Sequence, residues 1–204
     1  MKTIKTYVAI VIAGLMMVNV AVATEKNSSK KPVALKVDAA KSILKWNAKK
    51  VTGEHQGTVN VANGTLTVNS GKIAGGTFDI DMNSIKCEDL TDAGYNAKLI
   101  THLKSDDFFS VAKNPTAKFV IKKVEGKAPN YTITGDMTIK GITNSITFPA
   151  TVKADANGVT ADAKITLDRS KWDIRYGSKT FFPNIGDKMI NDDFSINLTL
   201  VANK

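Results

Sequence analysis

The fold class of this 204-residue chain is most evident in the stretch YTITGDMTIKGITNSITFPA, Tyr131 to Ala150. Apolar side chains in this stretch fall mainly on alternating positions, namely Tyr131, Ile133, Met137, Ile139, Ile142, Ile146 and Phe148. Successive side chains of a β-strand point to opposite faces, so a period of two predicts two half-buried strands.

The same alternation extends outward in both directions. On the N-terminal side it groups Leu44 with Trp46 and Ala48, Phe78 with Ile80 and Met82, and Phe119 with Ile121. On the C-terminal side it groups Val159, Ala161, Ala163, Ile165 and Leu167, and then Phe194, Ile196, Leu198 and Leu200. The pairs Asn63-Gly64 and Asn157-Gly158 fit two-residue type I′ hairpin turns, because both central positions of that turn need positive φ. We therefore expect about eight to ten antiparallel strands.

One segment, Thr91 to Leu103, does not follow the period-two alternation. Tyr95, Leu99 and Leu103 recur at four-residue spacing, which indicates a short helix, and Ser105-Asp106-Asp107 follows it as a cap. Many alternating strands with a single helix are typical of a closed barrel. The predicted fold class is all-β: an antiparallel lipocalin-like β-barrel of about eight strands with one short helix.

The interior of such a barrel is either a packed core or a ligand cavity. Its inward rows combine large residues such as Trp46 and Phe148 with small ones at Gly135, Ala161 and Ala163. That mixture permits a cavity, but the pattern alone fits a packed interior equally well.

The N-terminal segment is typical of a secretory signal peptide. Residues 1–23 contain Lys2 and Lys5, then an apolar run, then the A-x-A site ending at Ala23. A membrane anchor is the alternative, but the run is shorter than a span of about 20 residues requires. We predict cleavage after Ala23, a polar flexible leader at 24–32, and one domain at 33–204 in a periplasmic or secreted protein.

The charge pattern argues against nucleic-acid binding. Twenty-eight basic residues against 19 acidic ones give a net charge of +9, which falls to +7 when the signal is removed. The lysines are spread singly over polar faces, whereas nucleic-acid sites need clustered cations with stacking aromatics. We expect these lysines to give solubility and transient attraction to membrane surfaces.

Catalytic and metal-ligating residue types are scarce. His55, His102 and Cys87 are the only histidines and cysteine, and no HxxxH, HExxH, CxxC or GxSxG spacing occurs. The single cysteine also excludes an internal disulfide. The sequence therefore predicts no metal site, no cofactor and no catalytic residues, although an enzyme remains a minor alternative.

Both arginines lie in LDRSKWDIRYG, Leu167 to Gly177. If the strand containing Ile165 and Leu167 continues, Arg169 points into the barrel, and the later shift to Trp172 and Ile174 implies a bend at Asp168 to Lys171. A buried guanidinium must be paired. Its partner is either a structural aspartate or the head group of a ligand.

Four motifs occur in an order that resembles the YceI-like family of secreted bacterial proteins. They are HLKSDDFF (His102 to Phe109), NPTAKF (Asn114 to Phe119), the stretch Tyr131 to Ala150, and LDRSKWDIRYG. The likeness covers about residues 33 to 202. It implies a lipocalin-like barrel that holds a long isoprenoid or other lipid chain in an apolar tunnel.

The resemblance has two departures. Leu99, Ile100 and Thr101 stand where family members often have charged residues before the His-Leu pair, so a charged contact there is not expected. Trp46 stands where many members have Phe, which would narrow the tunnel.

The resulting hypothesis is a periplasmic carrier or sequestering protein for a long-chain isoprenoid or similar lipid, without chemistry. A structural or partner-binding barrel with a packed interior is the main alternative, a hydrolytic enzyme is a lesser one, and the sequence does not indicate the oligomeric state. The predicted ligand-binding residues are Trp46, Phe78, Ile80, Phe108, Phe119, Met137, Ile139, Phe148, Ile165, Leu167, Arg169 and Trp172.

Overall fold

The computed structural model describes residues 31–155 and 157–204. The predicted signal peptide, and all but the last two residues of the predicted leader, lie outside these ranges and stay predictions. Within the described ranges, none of the helices combines the length and apolarity that a bilayer span requires.

Nine strands and one α-helix form the described chain. They are β1 (Val33–Val37), β2 (Ile43–Lys50), β3 (Gly53–Asn69), β4 (Lys72–Cys87), α1 (Ala93–Lys104), β5 (Thr116–Lys127), β6 (Asn130–Ile139), β7 (Ile142–Ala154), β8 (Gly158–Asp168) and β9 (Ile190–Asn203). Two short 3-10 helices, Arg169–Trp172 and Gly186–Lys188, lie between β8 and β9. All strand pairs are antiparallel, and the sheet closes through β3–β4 and β2–β9. The predicted all-β barrel with one helix is confirmed.

The barrel has eight strand positions, because β1 and β2 share one of them. β2 lies between the first half of β3 and β9, whereas β1 pairs with Leu66 and its neighbours in the second half of β3 and with Ala202 of β9. β3 is therefore long enough to pair with β2 along its first half and with β1 along its second half.

The predicted hairpin at Asn63-Gly64 is wrong. Both residues lie inside β3 and pair with Asp79 and Phe78 of β4, next to a register shift. Gly64 is needed there for close packing, since an added Cβ would lie 2.8 Å from Phe78 Cδ1. The turn from β3 to β4 is instead at Ser70 and Gly71, which both have positive φ. At Asn157-Gly158 a β7–β8 connection does occur, but Gly158 is already the first residue of β8.

The predicted helix is confirmed with small changes at its ends. The Asp92 carboxylate accepts a hydrogen bond from the Tyr95 backbone N–H and caps the N-terminus, and Ser105 is the C-cap. None of its residues is fully buried, so the helix lies on the outer margin of one barrel end. That end also carries residues 169–189 between β8 and β9; we call it the helix end.

Candidate functional site

The barrel encloses an apolar cavity of about 210 Å³. Its walls come from the inward-facing alternate residues of β2 to β9, completed at the helix end by Leu103, Phe108, Phe109 and Ile174. The surface facing the cavity is apolar throughout, so an occupant can be held there only by burial of its own apolar surface.

Eleven of the twelve predicted ligand-binding residues lie on the cavity wall. They are Trp46, Phe78, Ile80, Phe108, Phe119, Met137, Ile139, Phe148, Ile165, Leu167 and Arg169. The period-two pattern places those that lie on strands, whereas Phe108 follows α1 and Arg169 begins the 3-10 helix after β8. Contact of all eleven with a ligand stays a prediction.

Trp172 is not part of the wall. The strand ends at Asp168, and the 3-10 helix that follows turns the Trp172 side chain into the packing at the helix end, where it is 1% exposed. Its indole N–H donates to the Met137 carbonyl at 3.1 Å. The bend predicted at Asp168 to Lys171 is present, and beyond it Ile174 lines the cavity whereas Trp172 does not.

Arg169 reaches the wall, but its guanidinium is held within the protein. Nε donates to the Asn191 carbonyl, Nη1 to those of Ile174 and Tyr176, and Nη2 to that of Ile190. Nη2 also lies 3.3 Å from Oδ1 of Asp192. Four of the five N–H groups of the side chain are thus hydrogen-bonded to carbonyls, and Asp192 adds an ion pair whose Oδ1 accepts no hydrogen bond. The geometry therefore favours the structural aspartate over the head group of a ligand.

Burial disfavours the charged forms of both Arg169 and Asp192, so it shifts their pKa values in opposite directions. Burial lowers the pKa of Arg169, while Asp192 and Asp168 oppose that change. For Asp192, burial raises the pKa, but hydrogen bonds from Thr180 and Ser178 and the Arg169 charge outweigh it, so the pKa lies below its ordinary value. Both groups are thus held in their charged forms.

Three phenylalanines shape the middle of the cavity. The Phe119 ring lies 6.4 Å from the Phe78 ring and 5.5 Å from the Phe148 ring, measured between centroids. Gly135, interpreted from the sequence as a gap, is covered by this ring: an added Cβ would lie 2.5 Å from Phe119 Cζ. Ala161 and Ala163 do lie on the wall.

Sequence reasoning missed the wall residues of β3. Val59, Val61 and Leu66 all face the cavity. The mistaken turn at Asn63-Gly64 divided this strand and hid its alternation. A continuous period-two interpretation of residues 53–69, with an irregularity near Val61, would have found them.

The two histidines lie in separate hydrogen-bonded arrangements. His102 Nε2 lies 2.9 Å from Asp107 Oδ2, and the His102 ring meets the rings of Phe108 and Tyr176 edge-on. This arrangement is a helix-end histidine held by its neighbours, as expected.

His55 and Cys87 come together with a third residue, Asp89. His55 Nδ1 lies 2.8 Å from Asp89 Oδ2, and the Cys87 thiol donates to Asp89 Oδ1 at 3.2 Å. Burial and the nearby Asp89 carboxylate raise the pKa of the Cys87 thiol. Burial opposes ionisation of Asp89, but hydrogen bonds from the Gln56 N–H, His55 and Cys87 lower its pKa to about 2.

The close approach of β3 to β4 brings this cluster together. Gly57 pairs with Cys87, and an added Cβ on Gly57 would lie 1.9 Å from the Lys86 carbonyl oxygen. Only glycine fits at that point. No local motif marks Asp89 as part of the cluster, because strand register rather than sequence proximity brings the three residues together.

Comparisons with known proteins agree with this architecture. A family model of the YceI-like domain matches residues 35–202. The UPF0312 protein of Shewanella denitrificans is 33% identical over 95 residues, which cover 46% of this chain and 47% of that protein. Protein YceI of Escherichia coli is 30% identical over 94 residues, again 46% and 47%. The chain thus spans about half the length of these curated relatives.

Solved structures show the same fold over more of the chain. Burkholderia cenocepacia BcnA has a TM-score of 0.65 at 26% identity, covering 82% of this chain and 99% of that one. A polyisoprenoid binding domain from Saccharophagus degradans has a TM-score of 0.59 at 13% identity, covering 82% and 97%.

Proposed function

Because the chain belongs to the YceI-like family, we propose that it binds the chain of a long isoprenoid or similar lipid in the barrel cavity. We further propose that it carries or sequesters this lipid in the periplasm without chemistry. The observation that carries the first proposal is the cavity inside the barrel, whose accessible surface is apolar. A packed interior, the main alternative, would leave no such space.

The size and surface of the cavity suit an apolar occupant. At about 210 Å³ it is larger than the engineered apolar cavities of roughly 150 Å³ that stay dry and take up benzene. A branched prenyl chain offers only carbon surface, so it loses no hydrogen bonds on entering. A polar ligand would lose its bonds to water without replacement.

The energetics favour a long chain. At about −0.3 kcal/mol per heavy atom, a tail of ~20 carbons contributes roughly −6 kcal/mol, which corresponds to tens of micromolar. Tighter binding needs more carbons. Since each added carbon contributes only about 0.3 kcal/mol at this rate, such a cavity separates neighbouring chain lengths weakly and selects by overall length.

Arg169 has no part in this proposal as a head-group ligand, because four of its guanidinium N–H groups donate to carbonyls of the protein and Asp192 forms an ion pair with the same group. The Saccharophagus degradans domain is described as polyisoprenoid-binding, and the likeness to it at 13% identity concerns the fold. The proposal therefore depends on the cavity, and the periplasmic carrier role depends on the predicted signal peptide.

Native mass spectrometry of the purified protein, followed by solvent extraction and lipid analysis, tests the proposed ligand. We expect a mass increment that extraction removes and that corresponds to a prenyl or similar chain. Protein without co-purifying lipid that also fails to take up an added long prenyl alcohol would overturn the proposal.

A further inference from the structure

We propose that His55, Cys87 and Asp89 form a binding site for a divalent transition-metal ion of the zinc type, at the rim of the cavity. The candidate ligand atoms are His55 Nδ1, Cys87 Sγ and a carboxylate oxygen of Asp89, all within 4.8 Å of one another. This cluster is separate from the cavity wall and has no part in the proposed lipid binding.

Strand register places the cluster on the inner side of the barrel. His55 pairs with Ala48, and Gly57 pairs with both Trp46 and Cys87. Directly paired residues of antiparallel strands point to the same face. Since Trp46 and Ala48 line the cavity, His55 and Cys87 lie on that face too, at the helix end.

The spacing of the three donors is close to that of a tetrahedral site. Zinc bonds of about 2.0–2.3 Å to nitrogen, oxygen and sulfur separate neighbouring ligand atoms by roughly 3.3–3.7 Å. The present separations are 2.8 Å for His55 Nδ1 to Asp89 Oδ2 and 3.2 Å for Cys87 Sγ to Asp89 Oδ1. These two contacts go to different oxygens of Asp89, so an ion would need side-chain movements within a cluster whose candidate ligand atoms all lie within 4.8 Å of one another.

The donor set favours late first-row divalent ions. A thiolate and an imidazole select zinc-type ions over magnesium or calcium, which prefer oxygen ligands alone. Three protein ligands leave a fourth position for water, as in three-ligand zinc sites. One thiolate and one carboxylate also balance the charge of a divalent ion, which reduces the cost of partial burial.

Hydrogen bonds from neighbouring residues already orient the three proposed metal-binding side chains and the chain between them. The Gln56 backbone N–H donates to Asp89 Oδ1 at 2.8 Å. The Asn96 side chain donates to the carbonyls of Cys87 and Leu90 at 3.0 Å, which fixes the chain between the two ligands. Such supporting bonds raise metal affinity by fixing the ligand positions.

The proton balance of binding is defined. The Cys87 sulfur gives up its proton to solvent as the metal–sulfur bond forms. Nδ1 of His55 donates to Asp89 in the metal-free protein, so its proton must leave Nδ1 before the ion binds there, and Nε2 then carries the proton of the neutral ring. Asp89 binds as a carboxylate, the form that carboxyl groups ordinarily have at neutral pH. Each bound ion therefore releases about one proton near pH 7.

Titration of the chelator-treated, reduced protein with Co²⁺ under anaerobic conditions tests the site, because cobalt thiolates absorb in the near ultraviolet. We expect one equivalent of Co²⁺ to give a thiolate charge-transfer band, which Zn²⁺ then abolishes by displacement. Cys87→Ser should lose the band, and Asp89→Asn should weaken Zn²⁺ binding by about tenfold or more.

His102→Gln is the matched control. His102 also contacts a carboxylate, that of Asp107, and no cysteine belongs to that arrangement. This variant should bind Co²⁺ with the wild-type spectrum and affinity. Wild-type protein that gives no charge-transfer band, or equal Zn²⁺ affinity in wild type and a folded Cys87→Ser protein, would overturn the proposal. The wild-type spectrum decides the matter even where a variant does not fold.

Discussion

Nη2 of Arg169 lies 3.3 Å from Oδ1 of Asp192, and both side chains are largely buried, at 6% and 19% exposure. Arg169 follows β8 and Asp192 lies near the start of β9, so the ion pair connects the two ends of the long 169–189 connection. The carbonyls of Ile174 and Tyr176 bond the same guanidinium. The Arg169 side chain thereby stabilises the folded conformation of the connection at the helix end.

Arg169→Met should destabilise the protein. Removing the guanidinium leaves Asp192 and four carbonyls without this partner in a buried region, and breaking a buried pair costs about 3–5 kcal/mol. Urea denaturation followed by circular dichroism measures the loss in the free energy of unfolding. A loss below about 1 kcal/mol would contradict the structural role.

The same variant also distinguishes the two roles considered for Arg169. A structural arginine affects all ligands alike, so Arg169→Met protein that remains folded should lose equal fractions of its affinity for a prenyl alcohol and for the corresponding prenyl phosphate. Selective loss of the phosphate would show instead that Arg169 contacts the head group.

Gly135→Ala should be destabilising by about 1–3 kcal/mol, because its Cβ would lie 2.5 Å from both Phe119 Cζ and the Val120 carbonyl oxygen. The backbone oxygen leaves little room for relief. Gly75→Ala in β4 is the control, since its Cβ meets nothing within 4 Å. Thermal unfolding of both variants is the measurement; similar melting temperatures would show that the β5–β6 packing is looser than described.

Asp89→Asn should reduce stability at pH 7 by about 1–2 kcal/mol and also change its acid dependence. The folded-state pKa of Asp89, about 2, lies below the ordinary 3.8. The carboxylate therefore stabilises the fold above about pH 4, and this stabilisation disappears as the pH falls through 4 towards 2.

The measurement is the unfolding free energy of wild type and Asp89→Asn between pH 7 and 2, with the difference shrinking at the acid end. Asp107→Asn is the control, because Asp107 forms the more exposed His–Asp pair and should cost under about 1 kcal/mol. A difference between wild type and Asp89→Asn that is constant with pH would contradict the assignment.

Tryptophan emission should report occupancy of the cavity. The chain has two tryptophans, and Trp46 lines the cavity whereas Trp172 is buried outside it. Adding a long prenyl alcohol should change the emission of wild type, and Trp46→Phe should abolish most of the change. An equal response from the Trp46→Phe protein would place the ligand elsewhere.

The sequence predicted the barrel and most of its wall because strand faces are encoded locally, in alternate residues. Leu167 and Phe148 lie on the wall because each occupies an alternate position of a regular strand. The sequence-based prediction failed where a contact with a distant residue outweighed the local preference of the sequence. Gly64 looks like a turn residue, yet it lies within a strand because Phe78 packs against it.

The same distinction applies to the remaining site residues. The 3-10 helix after Asp168 places Trp172 in the packing at the helix end, and the alternation of β8 does not specify where side chains point beyond that bend. Asp89 joins His55 only through the pairing of Gly57 with Cys87, a register that no single segment specifies. The local alternation of residues therefore predicts which face of a strand a side chain occupies. The register between strands and the bends at strand ends depend on contacts throughout the fold.

The central claim, that the barrel interior holds an apolar chain, is tested most directly by placing one bulky ring on either side of β8. Ala163 lines the cavity, and its neighbour Lys164 points to the outer face. Native mass spectrometry with an added long prenyl alcohol should show one bound chain on wild type and on Lys164→Phe, and at least about tenfold less on Ala163→Phe. Equal uptake by all three folded proteins would contradict binding inside the barrel.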